Sequence, residues 1–388
     1  MRVRANMCST IGAPRQRRRD RETWGSAVGV LNQPRDLYPR ERSGERAPSA
    51  SSLDDVRALL RRLPGADEAA AGAAAAREAE LTKPRGALGR LEELSLWLAA
   101  WQGRYPPRLE RPLAVVFAGN HGVAARRVSA YPADVTAQMV RNFEHGGAAI
   151  NQLCRAAGAE LRVYELALET PTADITAGPA MEETEVMDAF GRGMRAVEPD
   201  TDVLCLGEMG IANTTVAAAV AHGLFGGEAG EWVGPGTGLA GARVAHKAEV
   251  VAEAVDRHRD ALADPLEVMR RLGGRELAAI AGAVLAARLM RVPVLLDGYA
   301  CTAAAAVLFA AEPSALDHCQ VAHVSAEPGH RRLVERIGKR ALYDLGMRLG
   351  EGTGAALALP LLKAALACHV GMATFAEAGV SGRCDGAK

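Results

Sequence analysis

From residue 113 to residue 324 the chain alternates short apolar runs with longer stretches of helical period, and this alternation narrows the folds open to it more than any other feature. The runs are 113–118, 161–166, 203–206, 292–296 and 320–324. Each has the length of a buried strand. Between them, 135–143, 148–157, 214–224, 244–261 and 276–290 repeat apolar residues at the spacing of a helix face. Strands that read as continuous apolar runs and alternate with helices form a mostly parallel sheet covered on both faces, the α/β class.

Glycine and polar residues gather where the runs end. Gly119-Asn120-His121-Gly122 follows the first, and the third leads into Gly207-Glu208-Met209-Gly210-Ile211-Ala212-Asn213-Thr214-Thr215. Asp297-Gly298-Tyr299 follows the fourth, and Ser325-Ala326-Glu327-Pro328-Gly329-His330 the fifth. Open α/β sheets bind ligands outside the carboxyl ends of their strands. Four such loops on one rim would line one site.

The chain ends read differently. Residues 53–102 are helical in pattern, with Ser52 as a cap, an Ala-rich run at 66–79, and a bend at Pro84, Gly86 and Gly89 before an amphipathic helix through Trp101. Helical pattern returns at 354–372 and 375–378. Neither end has a sheet of its own, so the two are expected to pack as a small helical domain. The expected divisions are a disordered basic extension at 1–52, helical pieces at 53–110 and 346–388, and an α/β domain at 111–345. The extension holds 11 arginines and five acids, a net of +6. Its uses are an arm for an anionic partner, or a solvated tail, with Met7 as an alternative start. The remainder, with 35 bases and 41 acids, carries −6 and is a poor nucleic-acid binder. Seven cysteines without a CxxC pair suit reduced thiols in the cytoplasm. No uninterrupted apolar run reaches the roughly 18 residues of a membrane span, and residues 1–30 lack a signal-peptide core.

One stretch concentrates candidate chemistry: Met347-Arg348-Leu349-Gly350-Glu351-Gly352-Thr353-Gly354 before an apolar helical run. Glycines on both sides of Glu351 let a flat ligand approach the backbone. Leu349, Ala355, Leu357 and Leu359 would lower the local dielectric, raising the carboxylate pKa and making it a better base. The other use of the same residues is a helix start capped by Thr353, with Glu351 as an acidic neighbour of the dipole. Gly234-Pro235-Gly236-Thr237-Gly238 is either a phosphate-holding loop or a tight turn. Ser325 to Arg331 offers a hydroxyl, backbone amides, and His330 or Arg331 as a cation for a monophosphate. Glu208 is a capping carboxylate or a second carboxylate at the reacting centre. Lys247 is a solvated helix charge unless it turns inward to pair with Glu208. His121 and His323 fit structural roles, Cys301 has no histidine near it in sequence, and no spacing makes a metal site.

Taken in order, Leu81-Thr82-Lys83-Pro84 through Leu91, Phe117-Ala118-Gly119-Asn120-His121-Gly122-Val123, Gly207 through Thr215, Pro293 through Gly298, His323-Val324-Ser325-Ala326-Glu327 and Met347 through Gly352 resemble one family. It is the nicotinate-nucleotide–dimethylbenzimidazole phosphoribosyltransferase family of cobalamin lower-ligand synthesis, and the similarity runs from Leu53 to Val380. The resemblance implies a doubly wound, Rossmann-like sheet, a small helical domain from both chain ends, and a homodimer. It implies transfer of phosphoribose from nicotinate mononucleotide to 5,6-dimethylbenzimidazole with no metal or organic cofactor, and no nucleic-acid or membrane partner. The family's general base falls on Glu351, and its second carboxylate and lysine on Glu208 and Lys247. Phosphate contacts fall on Gly236 and on Ser325, Ala326, Glu327 and Gly329, while Gly210, Gly234, Leu349 and Gly350 complete the substrate-binding set. Asn120 stands where aspartate is frequent. Tyr131 and Met139 take base-pocket positions that are polar in some members, and both suit a methylated aromatic base. The rival functions are ribosyl or phosphoribosyl transfer to another base, and a sensor that binds without turnover.

Overall fold

The computed structural model describes residues 49–382, so all but the last four residues of the expected basic extension lie outside the described residues. Five strands form one sheet: β1 (Pro112–Ala118), β2 (Glu160–Glu165), β3 (Val203–Met209), β4 (Val294–Leu296) and β5 (Cys319–Val321). Their order is β2-β1-β3-β4-β5 and every neighbouring pair is parallel. All five apolar runs are therefore strands. β3 runs further than its apolar core suggests, to Met209, because its full length pairs with β1. Glu208 lies opposite Phe117 near the end of this strand, not in a loop after it.

The helices are α1 (Leu53–Leu60), α2 (Glu68–Glu80), α3 (Arg90–Gln102), α4 (Val135–Glu144), α5 (Ala149–Ala157), α6 (Glu183–Arg195) and α7 (Asn213–Phe225). They continue with α8 (Ala242–His258), α9 (Pro265–Leu272), α10 (Arg275–Met290), α11 (Tyr299–Ala311), α12 (Pro328–Arg336), α13 (Thr353–Gly371) and α14 (Phe375–Ala378). Alternate residues of β1 serve the two faces of the sheet. Leu113, Val115 and Phe117 join a core with α6, α7, α10 and α11, while Ala114, Val116 and Ala118 join another with α3, α5 and α13. Burial on both faces is why β1, β3 and β4 carry no polar alternation, whereas the edge strand β2, Glu160-Leu161-Arg162-Val163-Tyr164-Glu165, is only partly buried. Helices α6, α9, α11 and α12 were not foreseen. α11 is apolar almost all round and shows no stripe. α9 did carry a start signal, Asp264-Pro265, and Asp264 accepts the Leu266 N–H at 3.0 Å.

Both chain ends contribute to the second core, where Leu94, Leu98 and Trp101 of α3 meet Leu359 and Leu362 of α13. A buried polar link ties them: His369 Nδ1 lies 2.7 Å from Glu78, and Lys83 Nζ bridges Glu78 and Glu92 at 2.8 and 2.9 Å. The bend before α3 is fixed by Glu92, which accepts the N–H groups of Gly86 and Leu88. α1 goes elsewhere. It is capped by Ser52 with a reciprocal bond from Asp55, and its Leu53, Val56 and Leu60 enter the opposite core. Among the described residues α13 is the helix long and apolar enough to cross a membrane. It carries Pro360, Lys363 and His369, however, and buries Ala355, Ala356, Leu359 and Leu362 inside the protein.

Helices α6 and α10 cross at glycines. A Cβ on Gly193 would stand 1.8 Å from the Ala279 carbonyl oxygen, and one on Gly282 would stand 2.0 Å from that of Phe190. Gly193→Ala should therefore force the helices apart and destabilise the fold by about 1–3 kcal/mol or more. Gly72→Ala, on the open face of α2, should stabilise slightly by removing unfolded-state freedom. Thermal denaturation of the two variants measures both, and equal midpoints would mean that the crossing has slack.

Candidate active site

In a sheet of this order the chain winds outward in both directions from β1 and β3, and the carboxyl ends of those two strands border a crevice. Gly119, Asn120 and His121 come from one side of it, Glu208, Met209 and Gly210 from the other. Gly210 has no room for a side chain: a Cβ would lie 2.7 Å from the Gly119 carbonyl oxygen and 3.1 Å from His121 Nε2. His121 itself is buried with Glu276, Nε2 to carboxylate 2.7 Å.

The Glu351 stretch enters this crevice from the far end of the chain. Gly350, Glu351 and Gly352 have φ of +81°, +64° and +80°. Three consecutive left-handed residues make a tight turn, and a non-glycine residue holds this conformation only where its surroundings enforce it. The Glu351 N–H donates to the Glu208 carbonyl at 3.0 Å. The N–H groups of Gly352, Gly354 and Ala355 donate to the Asp297 carboxylate at 3.1, 2.6 and 3.1 Å. The cap of α13 is Gly352, and Thr353 lies inside the first turn, its hydroxyl turned back to the Gly350 carbonyl at 2.7 Å. The Glu351 side chain is 4% exposed, and its Oε2 has no hydrogen-bond partner. Burial pushes its pKa up to about 7. Ala355 and Leu359 are buried as expected and Leu357 partly so, but Leu349 is 58% exposed and does not dry the carboxylate.

Glu208 is also buried, and Asn213 Nδ2 donates to its Oε2. Burial first, then the like charges of Asp297, Glu276 and Glu351, raise its pKa well above the carboxylate range, against the Asn213 bond. Burial lifts Asp297 to about 7 against the pull of its three N–H donors. Carboxyl groups this close cannot all be ionised, so the group as a whole retains a proton near neutral pH.

The second half of the site lies beyond the first turn of α7. Lys247 is fully buried, and its Nζ donates to Thr214 Oγ1 at 2.8 Å and to the Gly234 carbonyl at 3.3 Å. It has turned inward, but the carboxylate whose charge it feels is Glu327, not Glu208. Burial lowers its pKa to about 8 and Glu327 opposes that shift. Glu327 Oε1 accepts the Gly236 N–H at 2.8 Å, so that amide is already engaged, and Oε2 is buried without a partner. Close packing keeps Gly234 and Gly329 as glycines: a Cβ on either would meet Glu327 Oε2 or the Trp232 carbonyl at 2.4 Å. His330 is no cation. Its Nδ1 accepts the Ser325 N–H at 2.8 Å, leaving the proton on Nε2, 2.9 Å from Thr302 Oγ1. Burial lowers its pKa to about 3. Arg331 faces outward, 2.9 Å from Asp344. The positive charge inside this half is Lys247.

Two ties join the halves. Asn213 holds Glu208 while its neighbour Thr214 holds Lys247. The Arg348 guanidinium donates to the Gly236 carbonyl, and the Ala326 N–H donates to the Met347 carbonyl at 2.9 Å. Tyr131 lies in the loop before α4 and Met139 on α4 itself. Tyr131 is 55% exposed, next to Ser129 and Ala130, which both bond Thr237 Oγ1 at 2.9 Å. Met139 is half-buried on α4, whose Thr136 hydroxyl accepts the Ile211 N–H at 3.1 Å. Asn120 donates to the Leu168 carbonyl at 3.0 Å, a structural bond. Sequence reasoning put Asp297, Asn213 and Thr214 in the loops that line the site but gave none of them a role there. The signal for Asp297 was its place directly after the buried run Val294-Leu295-Leu296, which does not say what it bonds. A separate cavity of about 280 Å³ beyond β2 is lined by Thr170, Glu185, Asp188, Arg192 and Arg275 and contains none of these residues. Among the described residues no group of three His, Cys, Asp or Glu side chains is placed to hold a metal ion.

The phosphoribosyltransferase family profile DBI_PRT matches residues 63–380. The nicotinate-nucleotide–dimethylbenzimidazole phosphoribosyltransferase of Sinorhizobium medicae is 62% identical over 337 residues, covering 86% of this chain and 99% of its own length. That of Methylocella silvestris is 59% identical over 337 residues, covering 87% and 99%. The crystal structure of CobT from Thermus thermophilus aligns with a TM-score of 0.76 at 44% identity, over 81% of this chain and 99% of that one. With its parallel sheet, its crevice between β1 and β3 and these relatives, the chain belongs to the nicotinate-nucleotide–dimethylbenzimidazole phosphoribosyltransferase family.

Proposed function

We propose that the chain transfers phosphoribose from nicotinate mononucleotide to 5,6-dimethylbenzimidazole, releasing nicotinate and α-ribazole 5′-phosphate for the cobalamin lower ligand, with Glu351 as general base. One observation carries the assignment: a buried carboxylate with a free oxygen and a pKa of about 7, at the crevice between the two central strands. One ring nitrogen of the benzimidazole attacks C1′ of the ribose while the bond to nicotinate breaks. Positive charge on the ring makes the proton on the other nitrogen acidic, and Glu351 takes it. A pKa near the working pH suits that task, since the group is ionised often enough to act and basic enough to accept. Lys247, beside the glycine turn at Gly234 and Gly236 and the loop from Ser325 to Gly329, anchors the phosphate. Binding energy spent there positions C1′ for attack. Glu208, kept neutral by its neighbours, offers a donor to a ribose hydroxyl. Tyr131, Met139 and Leu349 border the acceptor base. Family membership supports a homodimer working in the cytoplasm on small molecules.

Glu351→Gln should lower kcat by roughly 10²–10⁴-fold, with nicotinate mononucleotide affinity unchanged within about twofold. Nicotinate release by chromatography and nucleotide binding by calorimetry read the two quantities, and near-normal turnover would remove Glu351 from the mechanism. The wild-type pH profile carries a second test. Glu351 accepts a proton only when ionised, so kcat/KM, which reports the free enzyme, should fall as pH drops through about 7 and level off above it. An acid limb near the ordinary 4.5 would mean a solvated carboxylate. In direct competition, dimethylbenzimidazole should be consumed well ahead of adenine, because the rim offers Tyr131 and Met139 to an aromatic, methylated ring. Equal consumption would count against that assignment of the rim, and nucleotide binding without nicotinate release would point to a sensor.

A further inference from the structure

We infer that Asp297 is a positioning residue for the transfer: by collecting three N–H groups from the first turn of α13, it fixes where the Glu351 carboxylate stands. The inference rests on Glu351 being the base. Asp297 is fully buried and directly follows β4, which is paired on both sides, by β3 and β5, so its backbone is held by the sheet. The first N–H groups of a helix have no partner within it and are ordinarily met by the side chain of the capping residue. Here the capping residue is Gly352, which has no side chain, and the Thr353 hydroxyl is committed to the Gly350 carbonyl. Asp297 takes over the role from a distant part of the chain. Its Oδ2 accepts from Gly352, and its Oδ1 accepts from Gly354 and Ala355.

Glu351 lies one residue before this turn, in a left-handed conformation that costs about 1–3 kcal/mol unless its neighbours enforce it. Its own N–H is fixed to β3 through the Glu208 carbonyl. The turn is thus clamped between β3 and the residue that ends β4. The clamp has no slack on the other side. His323 Nε2 lies 3.6 Å from Asp297 Oδ1, and the His323 ring stacks on Tyr343, whose hydroxyl donates to the Gly354 carbonyl. A Cβ on Gly354 would stand 2.1 Å from the His323 ring. Asparagine at 297 could keep the bonds to Gly354 and Ala355 but would turn an NH₂ toward the Gly352 N–H. Two donors face to face would shift the turn that carries Glu351, and a base displaced by about 1 Å loses up to about 100-fold in rate.

The test is a double-mutant cycle on the full-length enzyme. Asp297→Asn should lower kcat roughly 10–100-fold while the KM for nicotinate mononucleotide stays within about twofold. In the Glu351→Gln background the same substitution should change kcat by less than about twofold, because the group it positions is gone. A full loss repeated in that background, a KM that rises in step with the fall in kcat, or an unaltered kcat would overturn the inference. Glu351→Gln alone reports separately on the base. If Asp297→Asn fails to fold, hydrogen exchange on the wild-type enzyme decides the matter. The amides of Gly352, Gly354 and Ala355 should be protected as strongly as the middle of α13, and exchange at the rate of an open loop would sink the proposal.

Discussion

The contact on which the site depends is one between backbones. Gly207 of β3 and Gly352 at the start of α13 approach so closely that a Cβ on Gly207 would stand 2.3 Å from the Gly352 nitrogen. Only glycine on the strand permits this approach, and the approach lets the Glu351 N–H reach the Glu208 carbonyl. A helix from the carboxyl-terminal end of the chain is thereby seated on the central strand of the sheet. Glu208 and Glu351, far apart in sequence, then share one dry pocket. The tight turn that results is unfavourable for a non-glycine residue. It is offset by hydrogen bonds to a buried carboxylate, a stronger class of bond worth roughly 1.5–3 kcal/mol each.

Charge is divided inside the protein in a way that follows from what each group touches. Asp297 is surrounded by N–H donors at a helix start, which favour its anion. Glu208 has one amide donor and three carboxyl neighbours, which favour its acid. Glu351 has neither donors nor a cation, and burial alone sets its pKa. Lys247 keeps a carboxylate within reach and so stays charged near neutral pH despite full burial. The first turn of α7 separates these environments, with Asn213 serving the acidic half and Thr214 the basic half. Two adjacent residues of one helix thus hold a buried acid and a buried base.

What was legible in the sequence was what neighbouring residues decide. The inner strands β1, β3 and β4 could be found because burial on both faces leaves uninterrupted apolar runs. The Ser52 cap of α1 could be found because it stands directly before the first apolar residue of the helix. The high pKa of Glu351 followed from apolar residues after it. What distant residues decide was hidden. Nothing near Lys247 announces that it turns inward to Thr214 and Gly234, since helix spacing alone cannot tell a buried lysine from a solvated one. Leu349 reads as part of an apolar wall but stands exposed, because the positive φ at Gly350 turns the chain just before the buried segment begins. His330 reads as a cation beside a phosphate loop, and only the Ser325 amide and burial make it neutral. Thr353 reads as a cap, but its hydroxyl turns back to the Gly350 carbonyl, and the free N–H groups at the start of α13 are met by Asp297 from across the sheet.

The same geometry separates the chemistry from the choice of acceptor. Glu351 and Glu208 are 4% and 9% exposed, whereas Tyr131 and Leu349 are 55% and 58% exposed. The inner groups are fixed by backbone hydrogen bonds and by glycines that admit no side chain, so almost any change there disturbs several contacts at once. Tyr131 and Leu349 lie in loops, the first tied down by the bonds from Ser129 and Ala130 to Thr237. On the proposed assignment, a substitution at Tyr131 alters what an aromatic ring meets on entering, without touching Asp297, the turn at Gly350 to Gly352, or the strand beneath it. On the same proposed assignment, a scaffold arranged this way can change the base it accepts while keeping one proton acceptor and one phosphate anchor, because the two tasks share no side chain.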